Sequence, residues 1–186
     1  MKYVSVLFAF ILAGSAAAAP ARWTVDPAKS SLSFAVSING QTVTGKFKAF
    51  GALIAFDPAD LAHSSAKITV PMDEAKTGDA TRDAMLLKPA WFNILDFPQA
   101  VFQTTSFASL GGNRYEAKGK LTLKGISKDV TLPFTLDIKG DTAVMKGETG
   151  LRRLDFGVGE GPDFASEAPV ALSVKVMVNV TAKRAK

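Results

Sequence analysis

Residues 170–181, VALSVKVMVNVT, indicate the class of fold. Apolar side chains occupy every second position, and mostly small or polar residues lie between them; the apolar set is Val170, Leu172, Val174, Val176, Val178 and Val180. A period of two is typical of a β-strand that buries one face. The same alternation recurs along most of the chain, which predicts an all-β protein.

Seven further segments have strand character, and residue types typical of turns or bends identify some of the points where the chain changes direction. The segments are residues 31–38, 41–56, 66–72, 99–107, 114–124, 130–138 and 142–156. Asn39-Gly40 predicts a type I′ hairpin turn, because both central residues of that turn need positive φ. The apolar phase changes between Phe47 and Phe50, which predicts a bulge or bend. Pro133 has no N–H to donate, so we expect a bulge or weak pairing there.

Eight strands joined mainly by hairpins favour an antiparallel up-and-down, lipocalin-like barrel, because closure removes the exposed edges. A β-sandwich is the second architecture. An eight-stranded barrel either fills its interior with side chains or holds one small ligand. The outward faces carry charges that would each cost about 2–4 kcal/mol at mid-depth in lipid, so we expect no stable membrane insertion. These residues are Glu116, Lys118, Lys120, Lys124, Asp137 and Lys175.

Residues 73–98 interrupt the strand pattern. Ala80, Ala84 and Leu87 recur at helical spacing, and Asp79 is a suitable N-cap. Pro89 ends any helix begun there. An apolar, aromatic-rich run follows, comprising Trp91, Phe92, Ile94, Leu95 and Phe97. We therefore expect a short helical insert that closes one end of the barrel.

Residues 1–19 have the layout of a secretory signal peptide. Lys2 precedes an apolar run at residues 4–12, and a small-residue stretch ends in alanines. The predicted mature domain is residues 20–186, exported to a bacterial periplasm. Its net charge of about +4, reduced from +5 by loss of Lys2, is spread along the chain, which disfavours a nucleic-acid footprint.

The candidate catalytic and metal-binding groups are few. The sequence has no cysteine, so thiol catalysis and thiolate metal sites are excluded. His63 is the one histidine, and it lies in a predicted loop between Asp60 and Ser64. Nothing near it resembles a nucleophile elbow. We predict no enzyme activity, no metal site and no cofactor.

Two roles are open for Arg82 and Asp83. They either bond nearby backbone and hold the helix across the barrel mouth, or Arg82 binds an anionic headgroup there, since a guanidinium can grip phosphate bidentately. Arg152-Arg153 allows the same pair of interpretations. Elsewhere the inward faces are apolar, with several phenylalanines beside small residues such as Ala117 and Gly119, which we expect to leave room for a ligand.

Several short motifs in order resemble the YceI-like family of bacterial polyisoprenoid-binding periplasmic proteins. They span the predicted mature chain, and the most specific is Thr81-Arg82-Asp83 with Trp91-Phe92 and Phe97-Pro98. Others are Gly45-Lys46-Phe47, Phe50-Gly51, Gly119-Lys120-Leu121-Thr122-Leu123-Lys124-Gly125 and Arg153-Leu154-Asp155-Phe156-Gly157. Where relatives often carry histidines near the ends of the first strand, this chain has Ser30 and Ser37.

The resemblance implies a barrel whose lumen takes a polyprenyl phosphate or the tail of a quinone, without catalysis. The ligand-binding residues we predict are Phe34, Val36, Phe47, Phe102, Leu121, Phe134, Leu136 and Val174 on inward faces, Trp91 and Phe92 at the closed end, and Arg82 at a headgroup. Two alternatives remain at this level: an interaction or stress-response module with a filled barrel, and a small isomerase or cyclase acting on an apolar substrate. A homodimer is left open.

Overall fold

A computed structural model describes residues 19–186; residues 1–18 of the predicted signal peptide lie outside the described part. The described residues form one antiparallel sheet of eleven strands. The strands are β1 Arg22–Val25, β2 Ser31–Ile38, β3 Gln41–Phe47, β4 Gly51–Ala55, β5 Ser65–Pro71, β6 Ala75–Lys76, β7 Gln99–Gly111, β8 Arg114–Leu123, β9 Ile126–Lys139, β10 Thr142–Arg152 and β11 Val170–Arg184.

The sheet closes on itself as an eight-stranded barrel, as the alternation predicted. β1 and β2 act as one wall strand interrupted by a 3₁₀ turn at Pro27–Lys29, and β3 and β4 act as a second. The long β11 completes the wall, because it pairs with β10 on one side and with both β2 and β1 on the other. The short β1, Arg22–Val25, therefore belongs to the barrel wall.

The predicted bend and hairpin turn are both present. β3 ends at Phe47 and β4 begins at Gly51, so the chain turns a corner where the apolar phase changes. Asn39 and Gly40 have φ of 50° and 79°, the positive pair that a type I′ turn requires.

The insert between β5 and β7 contains one helix, α1 Ala80–Leu86. Asp79 caps it by accepting a bond of 2.8 Å from the backbone N–H of Arg82. Of the residues that recur at helical spacing, Ala80 and Ala84 are exposed and Leu87 is half-buried, and the buried residue of the helix is Leu86. The helix has only two turns, and Leu86 is the residue that reaches the buried aromatic residues following α1.

Pro133 disturbs the sheet on one side only. It pairs in register with Glu116 of β8, whereas the paired residues between β9 and β10 end at Phe134 and Gly147. The prediction of weak pairing at Pro133 is thus confirmed on the β10 side.

The core has two clusters, one toward each end of the barrel. In the first, α1 and the loop after β10 pack against the barrel wall; it includes Met72, Leu86, Trp91, Phe92, Phe156 and Val158. The second includes Trp23, Phe56, Ala117, Phe134, Leu136, Ala143 and Ala182. Among the described residues, no helix has the length and apolar character needed to cross a bilayer.

Candidate functional site

A cavity of about 340 Å³ runs along the barrel between the two core clusters. This size falls within the range of about 300–1,000 Å³ typical of ligand pockets. Side chains therefore do not fill the lumen. Ten of the eleven predicted ligand-binding residues line the cavity: Phe34, Val36, Phe47, Trp91, Phe92, Phe102, Leu121, Phe134, Leu136 and Val174.

Small residues of the wall are covered by aromatic rings rather than left open. A Cβ built on Gly45 would lie 2.7 Å from ring atoms of Phe34, and one on Gly119 would lie 2.7 Å from the ring of Phe102. The expectation that Gly119 leaves room for a ligand is thus wrong, because Phe102 occupies that space. The glycines allow large rings to lie flat against the wall and so set the width of the lumen.

The first end of the lumen is closed by the segment predicted to close it. Trp91 and Phe92 are buried, and they pack in one cluster with Leu86 and with Val158 of the loop that follows β10. The ring of Trp91 meets the ring of Phe164 edge to face, with centroids 5.2 Å apart. Two separate stretches of chain thus build this closure.

Arg153 holds the second of these stretches in place. Its guanidinium is buried and donates to six backbone carbonyls: those of Val158, Gly159, Phe164, Ser166, Val170 and Ala171. Burial lowers the pKa of Arg153 from its ordinary value, and Glu167 acts in the opposite direction. An arginine has five N–H donors, so six acceptors require at least one N–H to be shared between two carbonyls, and this arrangement leaves Arg153 no donor for a headgroup.

The opposite end is filled by aromatic side chains. Phe56 meets the rings of Phe107, Tyr115 and Phe134 edge to face at centroid distances of 5.1, 5.8 and 6.4 Å. Trp23 donates its indole N–H to the carbonyl of Phe56 at 2.9 Å. These residues (Trp23, Phe56, Phe107, Tyr115 and Phe134), called the plug below, close this end of the cavity.

Arg82 is the one predicted site residue that does not line the cavity. Its Nε donates to Thr77 Oγ1 at 3.0 Å. Asp83 accepts from the same hydroxyl at 2.6 Å and from the Thr77 backbone N–H at 2.7 Å. The Thr77 side-chain bond, followed by the backbone bond, lowers the pKa of Asp83. The network ties α1 to the chain that precedes it, which favours the structural interpretation of this pair.

The lumen offers little for chemistry on a substrate. The polar residues of its described lining are Thr104, Thr149 and Arg153, and each is bonded to the backbone. His63 lies outside, in an exposed loop, with Nδ1 2.8 Å from Asp60. Within residues 19–186, no group of three or more candidate ligands is arranged to hold a metal ion.

Sequence reasoning missed three important parts of the site. Trp23 and Phe56 were not assigned to the plug, although Phe56 shares the inward parity of Ile54. Arg153 was paired with Arg152 as a headgroup candidate, and only its burial separates the two. A signal was available, since Arg153 is followed by a long loop rich in glycine and proline that needs donors for its carbonyls.

The geometry can be compared with known proteins. A family model for the YceI-like domain matches residues 23–182. The chain belongs to this family. The Salmonella agona protein named YceI is 27% identical over 185 residues, covering 96% of this chain and 92% of that protein.

Solved structures share the fold. Burkholderia cenocepacia BcnA superposes with a TM-score of 0.82 at 34% identity, covering 86% of this chain and all of that one. A polyisoprenoid binding domain from Saccharophagus degradans superposes with a TM-score of 0.71 at 11% identity, covering 89% of this chain and 99% of that chain. At such low identity the second likeness establishes the fold alone.

Proposed function

We propose that this protein binds a long isoprenoid lipid in the barrel lumen and carries or sequesters it without catalysis. The observation that carries the proposal is the apolar cavity of about 340 Å³ inside the closed barrel. A filled barrel, which an interaction module would have, leaves no such space. The description of the Saccharophagus degradans domain as polyisoprenoid binding supports the same class of ligand.

The lining explains why an isoprenoid chain suits the site. The walls present aliphatic and aromatic side chains, and burial of apolar surface contributes roughly 25 cal/mol per Å². A molecule with polar groups along its length would lose hydrogen bonds to water, because Thr104, Thr149 and Arg153 already bond to the backbone. A hydrocarbon chain has no such loss. The polyprenyl chain of a polyprenyl phosphate and the tail of an isoprenoid quinone both meet this requirement.

We also propose export to the periplasm, with residues 1–19 as the signal peptide and residues 20–186 as the mature lipid-binding domain. Arg82 is proposed only as a secondary contact to an anionic headgroup outside the lumen. Its half-buried side chain donates to Thr77 through Nε.

Native mass spectrometry of protein purified without detergent tests the proposal. We expect a mass adduct from a co-purified lipid, or uptake of added polyprenyl phosphate or isoprenoid quinone by the stripped protein at one molecule per chain. Absence of both an adduct and uptake would refute the carrier function. Conversion of the added lipid into a new product would instead favour an isomerase or cyclase.

A further inference from the structure

The barrel wall has a seam between β9 and β10. The paired residues of these strands end at Phe134 and Gly147, although β9 continues back to Ile126 and β10 continues on to Arg152. Each strand keeps its other partner over the same length, since β9 pairs with β8 from Ile126 to Thr135, and β10 pairs with β11 up to Arg152. The wall is therefore intact on both sides of the seam and unpaired within it.

Pro133 accounts for the position of the seam. Its carbonyl oxygen lies 2.9 Å from the place a Cβ on Gly147 would take, so the backbone of Pro133 faces β10. In an antiparallel pair, a residue directs its N–H and C=O toward the same neighbour. Proline lacks the N–H, so the next ladder bond has no donor at the point where pairing stops.

One side chain, that of Thr149, bridges the seam and lines a space on each side of the wall. Thr149 Oγ1 donates to the carbonyl of Thr131 at 2.9 Å. Thr149 lines the lumen, and it also lines a cleft of about 390 Å³ on the outer surface. Thr149 is therefore part of the wall between the outer cleft and the lumen, together with Leu132, whose Cδ1 lies 3.2 Å from the place a Cβ on Gly147 would take.

The outer cleft suits the polar end of a lipid. Its other lining residues are Pro133, Glu148, Gly150, Ser173 and Lys175. Glu148 and Lys175 form an exposed ion pair, with Nζ 3.4 Å from Oε1. An entering molecule could keep hydrogen-bond partners here for its polar end while its chain passes Thr149. An added β-strand from a partner does not fit between β9 and β10. Adding a strand needs about 4.8 Å on each side of it, and the Thr149 hydroxyl already spans the space between these two strands.

Resting on the function proposed above, we propose that this seam is the passage through which an apolar chain enters and leaves the lumen. The two ends are less suited to this role. Trp91, Phe92 and the loop held by Arg153 close one end, and Phe56, Phe107 and Phe134 fill the other. Opening either end requires several large side chains to move, whereas opening the seam requires the Thr149 bond to break and the Leu132 side chain to move aside.

Gly150→Phe tests the passage from outside. A Cβ on Gly150 meets nothing within 4 Å, and Gly150 lines the outer cleft but not the lumen. The new ring would block the cleft and leave the lumen unchanged. Gly51→Phe is the matched control, because Gly51 is an exposed strand glycine whose added Cβ would meet only the Thr69 carbonyl at 3.9 Å.

The readout is stopped-flow fluorescence of Trp23 and Trp91, which both line the cavity and which a bound quinone would quench. The probe is a benzoquinone that carries two isoprene units. We expect Gly150→Phe to slow both uptake and release by about tenfold or more, while the equilibrium affinity stays within about twofold, as for a change in access rather than in the site. Gly51→Phe should keep the wild-type rates.

Thr149→Val gives the opposite test. It keeps the shape of the side chain and removes the bond to the Thr131 carbonyl, so we expect faster release than in the wild type. Quinone uptake at equal rates by wild type, Gly150→Phe and Thr149→Val would overturn the passage and leave the binding function standing. Lack of uptake by the wild type would overturn both.

Discussion

The ring of Phe34 lies across Gly45 on the neighbouring strand, where ring atoms come within 2.7 Å of the place a Cβ would take. We predict that Gly45→Ala lowers the free energy of unfolding by about 1–3 kcal/mol, the usual cost of overpacking a tight site. Urea unfolding followed by circular dichroism measures the change. A second substitution, Phe34→Leu, should recover part of the loss by removing the ring.

Gly51→Ala is the control for this prediction. Its Cβ would make an ordinary contact of 3.9 Å with the Thr69 carbonyl, so we expect no loss and a gain of up to about 1 kcal/mol from the stiffer unfolded chain. Equal effects of alanine at Gly45 and Gly51 would contradict the role assigned to the Phe34 ring.

Arg153 should be the most sensitive arginine of the described chain. We predict that Arg153→Met lowers the free energy of unfolding by about 3 kcal/mol or more, because each buried carbonyl left without a donor costs about 1–3 kcal/mol. Arg153→Lys should lose less, since lysine keeps the charge and supplies three donors. Hydrogen exchange at residues 157–169 should rise in both variants.

Arg152→Lys separates this effect from a general loss of charge. Arg152 is exposed, and its Nε lies 3.9 Å from Asp155. We expect a change within about 0.5 kcal/mol, as for an ordinary surface substitution. A comparable loss in Arg152→Lys and Arg153→Lys would show that the carbonyl network does not hold the loop.

The attachment of α1 should weaken in acid. The Thr77 side-chain bond holds the pKa of Asp83 below its ordinary value, so the unfolded chain takes up this proton first as the pH falls. The stabilisation from Asp83 is then complete above about pH 4 and is lost as the pH falls through the lowered pKa. Urea unfolding of wild type and Asp83→Asn from pH 7 to pH 2 measures it.

The difference between wild type and Asp83→Asn should be constant near neutral pH and shrink in acid. Thr77→Val removes the side-chain donor, so in that background the pH dependence due to Asp83 should be smaller. A difference that stays constant down to pH 2 would count against the network.

Narrowing the lumen should weaken ligand binding. Val174 lines the cavity, and Val174→Phe fills part of it, so we predict a loss of affinity for an isoprenoid quinone of about tenfold, or roughly 1.4 kcal/mol. Fluorescence titration measures the affinity. Val144→Phe is the matched control, because Val144 is 37% exposed on an outward face and should bind as the wild type does. Equal affinities in both variants would place the ligand outside the lumen.

Local patterns predicted the wall well and the closures less well. Alternation placed Val174, Leu136 and Phe102 on inward faces, because the side-chain period of a strand is two. The same pattern cannot show that Phe102 covers Gly119, since that depends on the register between neighbouring strands. Leu95 illustrates the limit at the closure: it belongs to an apolar run, yet it is 90% exposed.

The seam shows the same division between local and long-range information. Pro133 predicted weak pairing from its own chemistry. That the weakness falls between β9 and β10 rather than between β9 and β8 depends on which neighbour its backbone faces. The bridge by Thr149 depends on the same orientation, and neither residue carries a sequence pattern that reveals it.

The double pairing of β11 has a consequence for folding. Asn179 pairs with Ser31, and Lys183 pairs with Thr24, so closure joins segments about 150 residues apart. Such distant contacts form slowly, because a long loop must be ordered before they contribute. Until β11 pairs, the partly folded chain is an open sheet with two unpaired strand edges. This stage of folding should have the greatest need of a chaperone.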